Sequence, residues 1–272
     1  MKALFDRRAF VGAMIASSGV LLLSAPPRLV AQPKRELPRP DPSLLQTGDL
    51  VWPKKPGAYV PYNFGSRNSP EQDRVQWIGE RDAYVKKLEQ SSNLDALTAR
   101  RLEVLRSMNY REFIAVYEGA QIPGTPGLYA GGGVYVGHVG IVEVDATGSP
   151  WIVEALLGKG VVRTAYSKWL EDRADQVVWL SRLRQLDSPQ RASVLSEAKK
   201  YLGKPYDFWN FDLNDESAFY CSKLVWLSIY RALSFPVDGV DSAKRLIWFS
   251  PKQLMNLPVL EKIHDPGPYA LI

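Results

Sequence analysis

The sequence predicts a single α+β domain, and two observations lead to that prediction. Strand-like segments at 134–144 and 151–156 flank Asp145-Ala146-Thr147-Gly148, a hairpin-type turn in which glycine can adopt a positive φ. Helical patterns are segregated before and after this hairpin instead of alternating with strands. With 272 residues, of which 46% are apolar, the chain can bury one full core.

The remaining elements follow from local patterns. A short strand is expected at 49–52 after a Thr47-Gly48 turn, and helical spacing at 70–90, 94–108 and 109–118 predicts a helical insertion over about 54–130. The glycine- and proline-rich stretch 123–133 predicts a connector, and 177–183 a further strand. Ser188-Pro189 predicts a helix with Ser188 as its cap, ending near Gly203. Further helices are expected from Cys221 to about 232 and from Ser250-Pro251.

The first 32 residues predict an export signal. Arg7-Arg8-Ala9-Phe10, followed by an apolar run over 11–25, resembles a twin-arginine signal, and an ordinary Sec signal is the alternative. Either route leads out of the cytoplasm, so we expect a periplasmic or otherwise exported protein. The run is shorter than the roughly 20 residues of a spanning helix, and cleavage is expected near Ala31. Membrane attachment is expected only through an uncleaved signal.

Residues 33–46 are rich in proline and charge and predict an extended tether, which leaves 47–272 as the single domain. Residues 1–32 carry four basic side chains and one acidic one, so their removal lowers the formal net charge from +5 to about +2. This small surplus argues against a nucleic-acid partner. The oligomeric state is left open.

Cys221 is the one cysteine of the chain, so in an oxidising compartment it can form no internal disulfide. It lies at the start of an apolar helical segment, and a helix start favours the thiolate form of a cysteine. Asn214 and Asp215, just upstream, are plausible caps for this helix. Taken alone, a cysteine on an apolar helix face is more often an inert buried thiol.

A base for such a thiol must come from one of two histidines. His264 lies in a tail segment predicted to be irregular, whereas His138 lies in a strand with Gly137 and Gly140 nearby. Two hairpin registers place His138 directly or diagonally opposite Glu154, while a register shifted by one residue separates them onto opposite faces. A carboxylate that orients the imidazole would complete a Cys-His-Glu set.

These residues resemble the circularly permuted NlpC-type, papain-like cysteine hydrolases, most closely the YiiX-like branch. In that permuted order the histidine strand precedes the cysteine helix, as here. The resemblance rests on Gly137-His138-Val139-Gly140-Ile141-Val142, Glu154, Gly203-Lys204-Pro205-Tyr206-Asp207 and Tyr220-Cys221-Ser222-Lys223-Leu224. It implies an antiparallel sheet packed against the cysteine helix, with a helical insertion outside the matched segments.

The resemblance also implies roles: Cys221 as nucleophile, His138 as base and Glu154 as the residue that orients it. Tyr206 is implied to line the site, and Tyr220 and Ser222 are expected beside the substrate or oxyanion. Lys223 departs from the pattern, because many relatives carry an acidic residue there, and it is expected to alter substrate charge preference.

The sequence therefore predicts an exported cysteine hydrolase that cleaves an amide bond through an acyl-enzyme, with a cell-wall peptide as substrate. A thioesterase, lipid amidase or acyltransferase acting on acyl lipids is the alternative. An inactive envelope-binding module, with the insertion as ligand platform, is an alternative of another class. No cofactor or metal is expected, and four acidic residues before Cys221 predict a solvated rim: Asp207, Asp212, Asp215 and Glu216.

Overall fold

A six-stranded antiparallel sheet organises the chain. The structure is a computed structural model, and it describes residues 37–56, 69–92, 94–117, 137–242, 245–247 and 250–268. The predicted signal over 1–32 and the predicted connector over 123–133 lie outside these ranges. The strands are β1 Leu50–Lys54, β2 Gly140–Val144, β3 Pro150–Leu156, β4 Gly160–Ala165, β5 Val177–Leu183 and β6 Leu260–His264, in the spatial order β4-β3-β2-β1-β5-β6.

The described helices are α1 Pro70–Glu89, α2 Ala96–Ser107, α3 Tyr110–Tyr117, α4 Tyr166–Glu171, α5 Ser188–Lys200, α6 Cys221–Leu233 and α7 Pro251–Met255. The predicted α+β class is confirmed, and the three helices predicted before the hairpin are present close to their expected bounds. The cap of α5 is Asp187, one residue before the predicted Ser188, because the Asp187 carboxylate accepts from the Gln190 N–H.

The two faces of the sheet bury different cores. One face carries Ile141, Val153 and Ala155 in a cluster with apolar residues of α5 and α6. The opposite face carries Val142 and Ile152 in a cluster with apolar residues of α4. Since side chains alternate along a strand, Glu154 shares the face of Ile152 and points away from α6.

The insertion helices belong to the main core. Trp77 of α1 is fully buried, with its ring 5.2 Å from that of Phe113 on α3 and 6.5 Å from that of Trp209. The Trp209 indole N–H donates to Glu80 Oε2 at 2.9 Å. The insertion therefore braces the segment at 206–211, which leads into the cysteine helix.

The register of β2 and β3 decides whether His138 and Glu154 can meet. Val144 pairs with Pro150 and Ile141 with Val153, which is the register that makes His138 and Glu154 diagonal neighbours. The expected start of β2 at 134 was too early, because the strand begins at Gly140 and residues 137–139 precede it. Residues 134–136 lie outside the described ranges.

Three elements were not predicted: β4, α4 and β6. His264, expected in an irregular tail, is instead the last residue of β6 and pairs with Leu180 of β5. All three elements are short. Strand β6 pairs with β5, which lies far away in sequence, and β4 pairs with β3 across a tight turn. The turn before β4 contains Gly158, and β4 begins at Gly160; both glycines have positive φ.

The predicted tether is corrected for residues 37–46, which lie against the domain. The carbonyl of Pro38 accepts from the Val178 N–H at 3.1 Å, and that of Pro40 accepts from the Tyr166 hydroxyl at 3.3 Å. Leu45 is buried in the cluster beside α4. Prolines lack an N–H but keep a carbonyl acceptor, so a proline-rich segment can still be fixed by hydrogen bonds.

We expect this segment to contribute to stability. A chain that begins at Pro42 should be less stable than one that begins at Leu37 by about 1–3 kcal/mol, because it lacks the two carbonyl acceptors and the Arg39 side chain that donates to the domain. Urea unfolding followed by circular dichroism would measure the difference. Equal unfolding midpoints and slopes for the two chains would contradict this assignment.

Candidate active site

Cys221 is the first residue of α6, and its side chain is buried with the residue 3% exposed. The N-cap is Tyr220, in extended backbone with φ −99° and ψ 166°, and no side chain caps this helix end. The predicted caps are therefore wrong: Asn214 donates to Ser242, and Asp215 accepts from Ser217. An uncapped helix start directs backbone N–H groups and positive potential toward Cys221, where an anion is stabilised.

His138 lies just before β2, where it contacts Glu154. Its Nε2 is 2.6 Å from Glu154 Oε2, and its side chain is 18% exposed. Burial lowers the pKa of His138, but the charge of Glu154 and hydrogen bonding with Cys221 and Glu154 outweigh it and raise the pKa to about 9. The imidazole is therefore held in its protonated form at neutral pH.

His138 connects the two faces of the sheet. Glu154 points away from α6, yet the Cys221 side chain on α6 is close enough to the same imidazole to raise its pKa. His138 can reach both because it precedes the strand at the end of the sheet. Gly140 allows β2 to approach β3 closely on this face, because a Cβ at this position would lie only 2.6 Å from the Ile152 side chain and 3.5 Å from the Glu154 Cβ.

Glu154 is 1% exposed and is held by two further donors. The Trp169 indole N–H donates to Oε2 at 2.9 Å, and Arg173 Nη2 donates to Oε2 at 3.0 Å and to Oε1 at 3.2 Å. Burial raises the pKa of Glu154, but His138, Arg173 and Trp169 together lower it below its usual value. The carboxylate is therefore ionised although it is buried.

Sequence reasoning missed Trp169 and Arg173. Both follow β4, the unpredicted strand that pairs with β3 and carries the chain back over Glu154. The one local signal is the spacing of the two residues at i and i+4, which places the Arg173 guanidinium 4.4 Å from the Trp169 ring centroid. Without β4, this pair has no visible connection to the histidine strand.

The expected lining residues remain predictions. Tyr206 forms a β-bridge with Phe219, two residues before Cys221, so its backbone lies close to the helix start. Tyr220 is 2% exposed and Ser222 is fully buried. Neither side chain is therefore open to solvent.

Lys223, the residue that departs from the family pattern, is not on the surface. It is fully buried, and its Nζ is 3.4 Å from the Asn210 carbonyl. Burial lowers the pKa of Lys223 to about 8, although three nearby carboxylates raise it, those of Asp215, Asp212 and Asp207. These acidic residues thus act on Lys223, in addition to accepting hydrogen bonds within their own loop.

Within the described ranges, no group of three or more histidine, cysteine, aspartate or glutamate side chains is arranged to hold a metal ion. The same ranges contain no helix that is both long and apolar enough to cross a membrane.

The arrangement defines a class. A cysteine at the start of a helix that packs on an antiparallel sheet, with a histidine just before one strand and a carboxylate on the adjoining strand, is typical of papain-like cysteine hydrolases. The order along the chain, with the histidine strand first, is that of the permuted form.

Comparison with known proteins finds a family that this chain resembles. A model of the permuted papain-like amidase enzymes, the YaeF/YiiX C92 family, matches residues 131–264, just under half of the chain. The uncharacterized protein YiiX of Escherichia coli K12 is 30% identical over 139 residues, which make up 47% of this chain and 66% of that protein, just under two thirds of its length.

A crystal structure described as metalloprotein YiiX from Escherichia coli O157:H7 has 23% sequence identity and a TM-score of 0.40, over 48% of this chain and 83% of that chain. The match to this family model confirms the predicted resemblance and the permuted papain-like α+β fold, and it supports a cysteine hydrolase of the amidase type. Helices α1–α3 precede the matched segment.

The charge of Glu154 should control the proton of His138. In Glu154→Gln the charge of Glu154 no longer opposes burial, so the His138 pKa should fall from its value of about 9, with Cys221 still acting to raise it. Imidazole ¹⁵N NMR titration would measure it, and a His264→Gln variant would assign the two histidine signals. A His138 pKa that stays near 9 in Glu154→Gln would contradict this electrostatic account.

The buried, charged Lys223 should lower the free energy of unfolding at neutral pH. Its pKa is lower in the folded state, about 8 against 10.5, so the unfolded state binds more protons and wild-type stability rises from pH 8 to 10.5. We expect Lys223→Met to be more stable than wild type at pH 7 by on the order of 2–3 kcal/mol, with the difference shrinking above pH 8. Urea unfolding at pH 7 and pH 10 would test this.

The exposed Lys87 provides the matched control. Lys87→Met removes the same charge at the surface and should change stability little at either pH. A Lys223→Met protein that is less stable than wild type at pH 7 would mean that the buried ammonium is well paired.

Proposed function

We propose that this protein is an exported cysteine hydrolase in which Cys221 attacks an amide carbonyl, His138 transfers the proton and Glu154 orients His138. The observation that supports this most directly is the placement of His138. Its imidazole is 2.6 Å from a buried carboxylate, and the Cys221 side chain at the start of α6 is among the groups that raise its pKa. Nucleophile, base and orienting carboxylate thus adjoin in that order.

The proposed reaction follows from these contacts. The Cys221 proton resides on His138, and the sulfur adds to the amide carbon to form a tetrahedral intermediate. The backbone N–H of Cys221, at the uncapped start of α6, stabilises the oxyanion. When the C–N bond breaks, His138 gives its proton to the leaving amine, which leaves an acyl-enzyme.

The second half-reaction reverses these proton transfers. Neutral His138 takes a proton from water as the water oxygen attacks the acyl carbon, and keeps it when the C–S bond breaks, which restores the starting state. Glu154 remains ionised throughout, since His138, Arg173 and Trp169 keep its pKa low. Its part is to fix the ring so that the other nitrogen faces the sulfur.

The proposed substrate class is a cell-wall peptide. Two observations support it: the amidase character of the family, and the Arg7-Arg8 segment at the N-terminus, which is typical of exported proteins. An acyl lipid cleaved at an ester, thioester or amide bond would use the same nucleophile. The substrate test below distinguishes these two classes.

Labelling of the thiol tests the proposed site. Because Cys221 is the one cysteine of the chain, iodoacetamide labelling followed by mass spectrometry reports on it alone. We expect labelling at acidic to neutral pH, and slower labelling, by about tenfold or more, in His138→Ala. His264→Ala, which removes the other histidine, is the matched control and should label like wild type.

Labelling that begins only in the ordinary range of free thiols, or that does not respond to His138→Ala, would refute the proposed activation. Incubation of wild type and Cys221→Ala with muropeptides and with acyl lipids, read by product mass, then assigns the substrate. Binding to sacculi that is equal in both proteins, with no product, would instead support a binding module.

A further inference from the structure

We propose that Arg173 is a positioning residue of this site: its guanidinium holds the Glu154 carboxylate against His138 and balances the carboxylate charge. This inference rests on the proposed function and adds a fourth member to the row of interacting side chains. Arg173 lies 35 positions beyond His138 in the chain, and reaches Glu154 because β4 returns the chain beside β3.

Arg173 contacts both oxygens of the Glu154 carboxylate. Its Nη2 lies 3.0 and 3.2 Å from the two oxygens of Glu154, and its side chain is 12% exposed while that of Glu154 is 1% exposed. A buried carboxylate is costly unless its charge is balanced and its lone pairs are satisfied. His138 contacts one oxygen, so Arg173 supplies the hydrogen bond to Oε1.

Arg173 makes three further contacts, two with Trp169 and one with Arg39. Its guanidinium lies 4.4 Å from the Trp169 ring centroid, and its Nη1 donates to the Trp169 carbonyl at 3.4 Å. Its own carbonyl accepts from Arg39 Nη2 at 3.0 Å. The segment beginning at Leu37 thus supports the residue that supports Glu154. A carboxylate mounted in this way can fix the orientation of His138 more tightly than one facing solvent.

Charge balance gives Arg173 a measurable signature. With Arg173 present, the row Arg173, Glu154, His138 and Cys221 alternates positive and negative when the proton is on the imidazole. Removing Arg173 leaves one excess negative charge, which favours the protonated form of every neighbouring group. The pH at which the thiol becomes reactive should therefore rise. A purely structural loss would lower activity without moving that pH.

The test compares the pH dependence of iodoacetamide labelling in wild type, Arg173→Gln and Arg173→Lys. We expect the acidic limb to move upward by about one pH unit in Arg173→Gln, which makes labelling on that limb about tenfold slower. Arg173→Lys keeps the charge but not the two-oxygen contact, so its limb should stay near that of wild type. Its turnover on the cleaved substrate should nevertheless fall, with KM unchanged.

The chain offers a matched control in Arg163. Arg163 Nε donates to Glu143 Oε2 at 2.5 Å, and its guanidinium lies 3.6 Å from the Trp151 ring centroid. This is the same combination of arginine, carboxylate and tryptophan, but it does not contact His138 or Cys221. Arg163→Gln should leave the labelling profile unchanged.

The outcomes separate this inference from the proposed function. A folded Arg173→Gln protein with the wild-type labelling profile overturns the role of Arg173, even if Cys221→Ala and His138→Ala behave as proposed. Labelling that is unaffected by His138→Ala overturns the proposed function instead. If Arg173→Gln does not fold, Arg173→Lys decides: reduced turnover with the wild-type acidic limb supports the inference, and wild-type turnover overturns it.

Discussion

The ionised carboxylate of Glu154, buried in the sheet, is the constraint on which the rest of the site depends. A carboxylate at 1% exposure must have its charge balanced locally, and here two cationic side chains and an indole N–H do so. Each donor comes from a different segment: His138 from before β2, Trp169 from α4 and Arg173 from the turn after it. Satisfying one buried charge therefore fixes the relative positions of three segments, and one of them carries the proposed base.

The path from carboxylate to thiol crosses the end of the sheet. Glu154 shares a face with Ile152 and α4, whereas Cys221 belongs to the helix on the opposite face. A histidine within β2 would be confined to one face by the alternation of side chains. His138 precedes the strand and escapes this restriction, so it can interact with both partners. The late start of β2 is thus part of the geometry that the proposed mechanism requires.

Period-two alternation in a hairpin predicted that His138 and Glu154 meet in either of two registers and separate in a register shifted by one residue. The structure has one of the first two, with Val144 paired to Pro150. The helix start at Cys221 and the insertion helices were likewise visible in local patterns. Arg173 was not, since its contact depends on β4, a six-residue strand recognised only through its pairing with β3. The burial of Lys223 was also invisible, because a charged residue at that position is ordinarily assigned to the surface.

The insertion is tied to the cysteine helix through the segment at 206–211. Trp209 packs against rings of α1 and α3 and donates to Glu80, and Phe208 lies 6.2 Å from the ring of Tyr220, the residue before Cys221. Moving α1–α3 as a lid would separate these buried aromatic contacts, at a cost comparable to opening a core. The three helices are therefore a fixed part of the domain, and the position of Cys221 depends on them as well as on the sheet.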